Sequence, residues 1–242
     1  MIDFGKDFKK YALSEGIGSL KLHNFENSLT PYILEERSLN VTQLDIFSRL
    51  MKDRILWVAG VVNDNMSTIV QAQLMYLDSV EKKDITMHVD SPGGSVKSGL
   101  SMVDVMRYIK SDVATINTGY SASMGSILLS SGEKGKRSSL NFSKVMIHQL
   151  SSGTSGNIQD TRVSQVESEK YNFILFKILA ENTGKSFDFV LDSARRDNWL
   201  NSQEALDFGI IDEIITSDKS TSITSLLDGF DDYYTKEVLK RK

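Results

Sequence analysis

Between Ile55 and Ser130 the sequence repeats one pattern three times: a short apolar run, a turn of small or polar residues, then a stretch with apolar residues at helical spacing. This alternation confines the chain to a mostly parallel sheet covered by helices, because successive strands that run the same way need a crossover, and an amphipathic helix supplies it. The expected fold class is therefore α/β. Ile55 to Val62 reads as a buried strand, and Asn63-Asp64 then offers side chains that cap a helix. Met66, Ile69, Val70, Leu74 and Leu77 follow at spacings of three and four, so one face of that helix lies against the sheet. Ile85 to Val89 is the next strand and ends in the turn Asp90-Ser-Pro-Gly-Gly94; Val96, Leu100, Val103 and Met106 mark a second amphipathic helix. Val113 to Ile116 is a third strand and leads into Gly119-Tyr-Ser-Ala-Ser-Met-Gly125.

Farther along, Lys144 to His148 reads as a strand, and a long helix runs from about Ile158 to Asn182, stopped by Gly184. The stretch Phe173, Ile174, Leu175, Phe176, Ile178 and Leu179 is apolar on more than one face, which leaves two readings: a core helix of the monomer, or a helix partly covered by a partner subunit. Residues 1 to about 40 are polar and weakly periodic, broken by Pro31, and read as an extension. Residues 216–225 are rich in Ser and Thr and read as mobile, and Lys240-Arg241-Lys242 as a solvated tail.

Several function classes fall away on composition. With 28 basic and 32 acidic side chains the net charge is -4, which gives no reason to expect nucleic acid or an anionic membrane as partner. The chain has no cysteine, so disulfides, thiolate metal ligands and cysteine nucleophiles are excluded together. The first ten residues mix acids and bases without an apolar core, unlike a signal peptide, and no run reaches the roughly 18–20 apolar residues of a membrane span. A soluble, cytoplasmic protein without metal or bound cofactor is expected.

What remains is a serine segment and three histidines: His23, His88 and His148. A serine hydroxyl is a weak nucleophile until a base takes its proton, so the pairing of serine with histidine is the chemistry to look for. Ser121 and Ser123 are both eligible, and the segment is not the Gly-x-Ser-x-Gly elbow of the α/β hydrolases. Ser123 stands where a helix begins, so the Met124 amide has no intrahelical partner and can face a negative charge. Gly93-Gly94 can bring a second amide close to a substrate. His148 is the only histidine after these serines; His88, inside an apolar strand, reads as a core residue, and His23 as solvated. Asp197 could orient the imidazole, but spacing does not choose it over Asp192. Asn201-Ser-Gln-Glu204 resembles a capping box.

Taken jointly, Ile46 to Ile55, Ser91-Pro-Gly-Gly-Ser95, Ala122-Ser-Met124, Lys134-Gly-Lys-Arg137, Met146-Ile-His-Gln149 and Arg196-Asp-Asn198 resemble the Clp protease family, over about Arg37 to Ile215. The resemblance implies that Ser123 is the nucleophile, His148 the general base and Asp197 its orienting acid. It implies an oxyanion hole from the amides of Gly94 and Met124, and a substrate groove touching Gly93, Ser95, Gln149 and Leu150. It further implies a crotonase-like stack of ββα units with a protruding handle helix and strand, at about residues 150–182. By this likeness residues 1–36 are an axial arm, 37–215 the peptidase domain and 216–242 a tail. The expected activity is serine endopeptidase cleavage of unfolded polypeptides in a homo-oligomer of two stacked heptameric rings. An AAA+ unfoldase feeds such a barrel and binds the ATP; this chain has no Gly-x-x-x-x-Gly-Lys-Ser/Thr loop. A non-catalytic ring subunit, a crotonase-type acyl-CoA enzyme and a phage capsid-maturation protease are the competing readings. Three residues depart from the family pattern: Leu150 stands in place of proline, Ser121 in place of alanine, and Asp90 in place of asparagine.

Overall fold

The computed structural model describes residues 32–37, 40–153, 155–216 and 221–238. It begins with an antiparallel pair, β1 (Tyr32–Arg37) and β2 (Asn40–Asp45), in the register Tyr32↔Asp45 to Arg37↔Asn40. The expected boundary at residue 37 thus falls within a hairpin, because the two strands pair with each other whatever the rest of the extension does. His23, Pro31 and the basic tail 240–242 lie outside the described residues. Asp45 then caps α1 (Ile46–Lys52) by accepting the Ser48 amide at 2.9 Å.

The expected βα alternation follows. Strand β3 (Ile55–Ala59) is shorter than the predicted Ile55 to Val62, because Gly60 turns the chain at φ 81° and donates its amide to Asp90 O at 2.9 Å. Asn63 caps α2 (Asp64–Val80), its side chain accepting from the Met66 amide at 3.0 Å, and Ile69, Val70, Leu74 and Leu77 are all buried. Strand β4 (Ile85–Ser91) and α3 (Val96–Tyr108) repeat the unit. Strand β5 (Val113–Ala122) is longer than the expected Val113 to Ile116 and runs through the serine segment. Thr115, Asn117 and Ser121 are buried in it and bonded. Thr115 donates to Leu129 O at 2.7 Å, Asn117 to Lys144 O at 3.0 Å, and Ser121 to Asn117 Oδ1 at 3.0 Å.

Those bonds sit where the sheet forks. Thr115 to Asn117 of β5 pair with β6 (Arg137–Leu140), whereas Tyr120 to Ala122 pair with β7 (Lys144–Ile147). Between β5 and β6 in the chain comes α4 (Met124–Ser130), buried along its whole length. After β7 come α5 (Ile158–Thr183), α6 (Phe187–Ser193), β8 (Asn198–Asn201), α7 (Ser202–Phe208) and β9 (Glu213–Ile215). The result is a seven-stranded sheet in the order β3-β4-β5-β6-β9, with β7 on the second branch of β5 and β8 antiparallel to β7. The fold is α/β with a mixed sheet.

The long helix ends at Gly184 in the left-handed region, φ 70°, as expected. It buries Leu175, Phe176 and Leu179 within the protomer and leaves Ile158, Val163, Val166, Phe173 and Ile174 exposed. No strand forms among the described residues between His148 and α5, where a handle strand was expected, since no neighbouring strand lies alongside to pair with it. Past β9 the expected tail carries α8 (Ile223–Leu226), α9 (Phe230–Tyr233) and a π-helical turn at Tyr234–Val238. Its start is tied down by Asn141, which donates to Thr221 O at 2.8 Å and accepts from the Ile223 amide at 3.1 Å. His88 is half-buried and stacks on Trp57 at 4.6 Å between ring centroids, and burial pushes its pKa down, as befits a neutral packed histidine.

Candidate active site

Three strand ends meet at one edge of the sheet. In the ladder Ala122 of β5 pairs with Met146 of β7, and Ile147 of β7 pairs with Asn198 of β8. One step beyond these pairs stand Ser123, His148 and Asp197, so the register itself brings them side by side. The Ser123 amide continues the ladder by donating to Met146 O at 2.9 Å.

Ser123 Oγ lies 2.8 Å from His148 Nε2, and His148 Nδ1 lies 3.3 Å from Asp197 Oδ1. The first contact is a well-formed hydrogen bond; the second is a close charge contact just longer than one. Asp197 is 66% exposed and His148 19%. The alternatives that the sequence left open occupy other places. Ser121 is fully buried within β5 and bonded to Asn117, and Asp192 pairs with Arg195 at 2.8 Å.

Ser123 adopts φ 55° and ψ -120°, a strained conformation for a residue with a Cβ. This turns the chain sharply from β5 into α4 and lifts the hydroxyl clear of the sheet. The turn has the strained strand-to-helix geometry of a nucleophile elbow although the local motif is different. Glycines make room for it. A Cβ on Gly125 would come within 2.8 Å of Ser91 O.

The Met124 and Gly94 amides have no hydrogen-bond partner among the described residues. Gly94 is presented by a loop laid along Val62, whose amide donates to Gly93 O at 2.8 Å while its carbonyl accepts from Ser95 at 2.9 Å. Those bonds use the groups on either side of Gly94 and leave its own N–H free. Ser91 braces the loop from beneath, donating to Gly60 O at 2.6 Å and accepting from the Gly93 amide at 3.1 Å. Asp90 accepts from the Tyr120 amide at 3.1 Å across an irregularity in the β4–β5 ladder, a role that asparagine Oδ1 can also fill.

Gly93 (φ 87°) packs against the serine turn: a Cβ there would sit 2.7 Å from Ala122 O and 2.8 Å from Met124 N. Backbone atoms cannot step aside as a flexible side chain can. Gly93→Ala is therefore expected to displace the turn and lower kcat/KM for a fluorogenic peptide by on the order of a hundredfold. Activity within threefold of the parent would show that the turn has room to spare.

Ser123 and His148 open onto a cavity of about 230 Å³ whose walls include Ile127, Ile147, Leu150, Leu175, Phe176 and Leu179. Gly94 and Met124 also line it. Of the expected groove residues, Leu150 lines the cavity, and Gly93 lies under the serine turn. Ser95 caps α3, accepting from the Ser98 amide at 3.2 Å, and the exposed Gln149 lies outside the cavity wall. In the sequence Leu175, Phe176 and Leu179 read as part of a helix apolar on more than one face, covered within the monomer or by a partner. Their spacing of one, three and four marks a shared face, but sequence does not say that this face meets the serine turn. Among the described residues no group of three or more metal-ligating side chains is gathered, and no helix is long and apolar enough to cross a membrane.

A family profile described as Clp protease matches residues 38–218. The ATP-dependent Clp protease proteolytic subunit of Bacteroides fragilis strain YCH46 is 49% identical over 215 residues, covering 86% of this chain and 98% of its own length. The subunit so named from Porphyromonas gingivalis W83 is 42% identical over 219 residues, covering 88% of this chain and 99% of its own length. That from Streptococcus pneumoniae Hungary19A-6 is 46% identical over 192 residues, 78% of this chain and 98% of its own length.

Proposed function

The chain belongs to the Clp protease family, and from that premise we propose that its serine endopeptidase activity is carried by Ser123, His148 and Asp197. The observation that carries this reading is the 2.8 Å bond between His148 Nε2 and Ser123 Oγ, beside two unbonded amides and an apolar cavity. Ser123 Oγ attacks the scissile carbonyl carbon while His148 Nε2 takes its proton. The carbonyl oxygen becomes an oxyanion and is met by the N–H groups of Gly94 and Met124, a role supported by their lining the cavity with no other hydrogen-bond partner among the described residues. As the C–N bond breaks, His148 gives the proton to the leaving amine. Water then adds to the acyl-enzyme, losing a proton to the same base, and Ser123 leaves with its hydroxyl restored. Asp197 holds the imidazole with Nε2 facing the serine and stabilises the imidazolium.

The cavity walls favour an uncharged, apolar side chain on the acyl side of the cut, because burying a charge there would be uncompensated. The fold is read as crotonase-like, and α5 as a handle. The apolar residues it leaves exposed, Phe173 and Ile174 among them, suit a surface covered by other copies of the chain. By likeness to relatives named as proteolytic subunits of an ATP-dependent protease, the protein acts on unfolded polypeptides within an oligomer of two stacked heptameric rings. An AAA+ unfoldase supplies the substrate and consumes the ATP; this chain needs no cofactor for hydrolysis.

The assignment of the acid is tested by a pair of variants. Asp197→Asn is expected to lower kcat for a short peptide by about a hundredfold or more, through a misdirected imidazole tautomer. Asp192→Asn, which breaks an exposed pair with Arg195, is expected to stay within twofold. The reverse ranking would transfer the role to Asp192.

A further inference from the structure

The segment that follows His148 is tied to the long helix at one point. The backbone N–H of Leu150 donates to Asn172 Oδ1 at 2.9 Å. Proline, which the family usually carries at this position, has no N–H to donate, so the bond exists only because this chain departs from that pattern. No other backbone amide of residues 149–153 has a partner among the described residues. The tie is therefore the sole hydrogen-bonded anchor of this strandless stretch among the described residues.

Its position matters for the site. Leu150 and Ser151 form part of the cavity wall, and Leu175, Phe176 and Leu179, on the same helix face as Asn172, form another part. His148, two residues before Leu150, is fixed on its N-terminal side by the β7 ladder, which ends at Ile147, and through its ring by Ser123 and by the 3.3 Å contact to the exposed Asp197. A loosely held imidazole needs its backbone fixed if the 2.8 Å contact is to persist.

We propose that Asn172 is a positioning residue: its side-chain oxygen fixes the His148–Ser151 segment, setting the imidazole against Ser123 and holding Leu150 in the cavity wall. This rests on the reading of His148 as the general base. The residue touches no reacting atom and acts only through the chain that carries the base.

The test uses the full-length protein, a fluorogenic peptide and a serine-directed phosphonate probe. Asn172→Ala removes the acceptor while placing the strongest helix former in α5, so the helix itself is not weakened. Its kcat is expected to fall by about tenfold to a hundredfold, with KM changed by less than about threefold and the rate of Ser123 labelling falling in parallel. Asn172→Asp keeps an acceptor oxygen and is expected to recover to within about threefold of the parent. Leu150→Pro removes the donor, so adding Asn172→Ala to it should cost no more than Leu150→Pro alone. Asn172→Ala at parental activity, Asn172→Asp as impaired as Asn172→Ala, or a double variant whose losses multiply would each overturn the proposal. If the parent protein, in assembled form, neither cleaves peptide nor takes the probe, the peptidase reading falls and this inference with it. A parent that does both, beside an unaffected Asn172→Ala, overturns this inference alone.

Discussion

Ser123→Ala is expected to reduce peptide cleavage by at least about 10⁴-fold and to abolish covalent labelling by a serine-directed probe, while the protein still assembles. In the proposed mechanism the hydroxyl is the only part of the side chain that the reaction needs, and its sole side-chain hydrogen bond is the one to His148. Alanine at this position keeps the backbone turn and leaves the walls of the cavity intact. The matched control is Ser121→Ala. That serine is sealed in the sheet and bonded to Asn117, so its loss is expected to cost about 1 kcal/mol of stability and to leave turnover within about threefold. Mass spectrometry of the labelled peptide locates the adduct directly. Labelling that survived in Ser123→Ala and vanished in Ser121→Ala would move the nucleophile.

The second large effect concerns stability and lies far from the serine. Arg137, only 4% exposed, donates through Nη2 to Asp212 Oδ1 at 2.6 Å and through Nε to Oδ2 at 2.9 Å. Its Nη1 reaches the carbonyls of Asn182, at 2.8 Å, and Ser130, at 3.3 Å. One guanidinium thus joins the end of α5, the end of α4 and the approach to β9. Arg137→Met would leave the Asp212 carboxylate without its cation and two carbonyls without donors, so a loss of about 3–5 kcal/mol is expected. Urea unfolding at fixed protein concentration measures it, and a loss under 1 kcal/mol would show that the network is dispensable.

The same site predicts a pH signature. Burial acts to raise the Asp212 pKa, but the hydrogen bonds from Arg137 and the Gly135 amide outweigh it and hold the carboxyl below its ordinary value of 3.8. A depressed carboxyl stabilises the fold while ionised. That contribution is complete above the unfolded value and is lost as pH falls below 3.8 through the folded one. Arg137→Met is expected to show a smaller acid-side decline from this group, since the backbone amides of residues 135 and 137 still donate to it.

Much of this was legible in the residues themselves. The caps at Asn63 and at Asn201-Glu204, the stop at Gly184 and the apolar faces of α2 and α3 follow from local chemistry that needs no distant partner. The pairing of Ser123 with His148 was also within reach, since few histidines compete for the role. What stayed hidden depends on contacts made across the fold. Polar Asn117 and Ser121 look unlike a buried strand until Lys144 and one another satisfy their hydrogen bonds. Ser123 has no neighbouring motif that announces a positive φ; the strain is tolerated because Gly93 and Gly125 clear space around it. A handle strand was expected where the lone chain offers nothing for one to pair with, and the Asn172 contact joins residues with no shared local pattern.

The forked strand β5 has one more consequence, for how the family's chain length can drift. Its first half is locked to β6 at Asn117↔Ser139 and its second half to β7 at Tyr120↔Lys144, so the residue count between the two branches is set from both sides. Side chains on a strand alternate in direction, and a single insertion or deletion there would rotate the reactive hydroxyl into the protein interior while leaving the imidazole where it was. Loops on this protein can lengthen or shrink; these few residues act as a molecular spacer whose length cannot change.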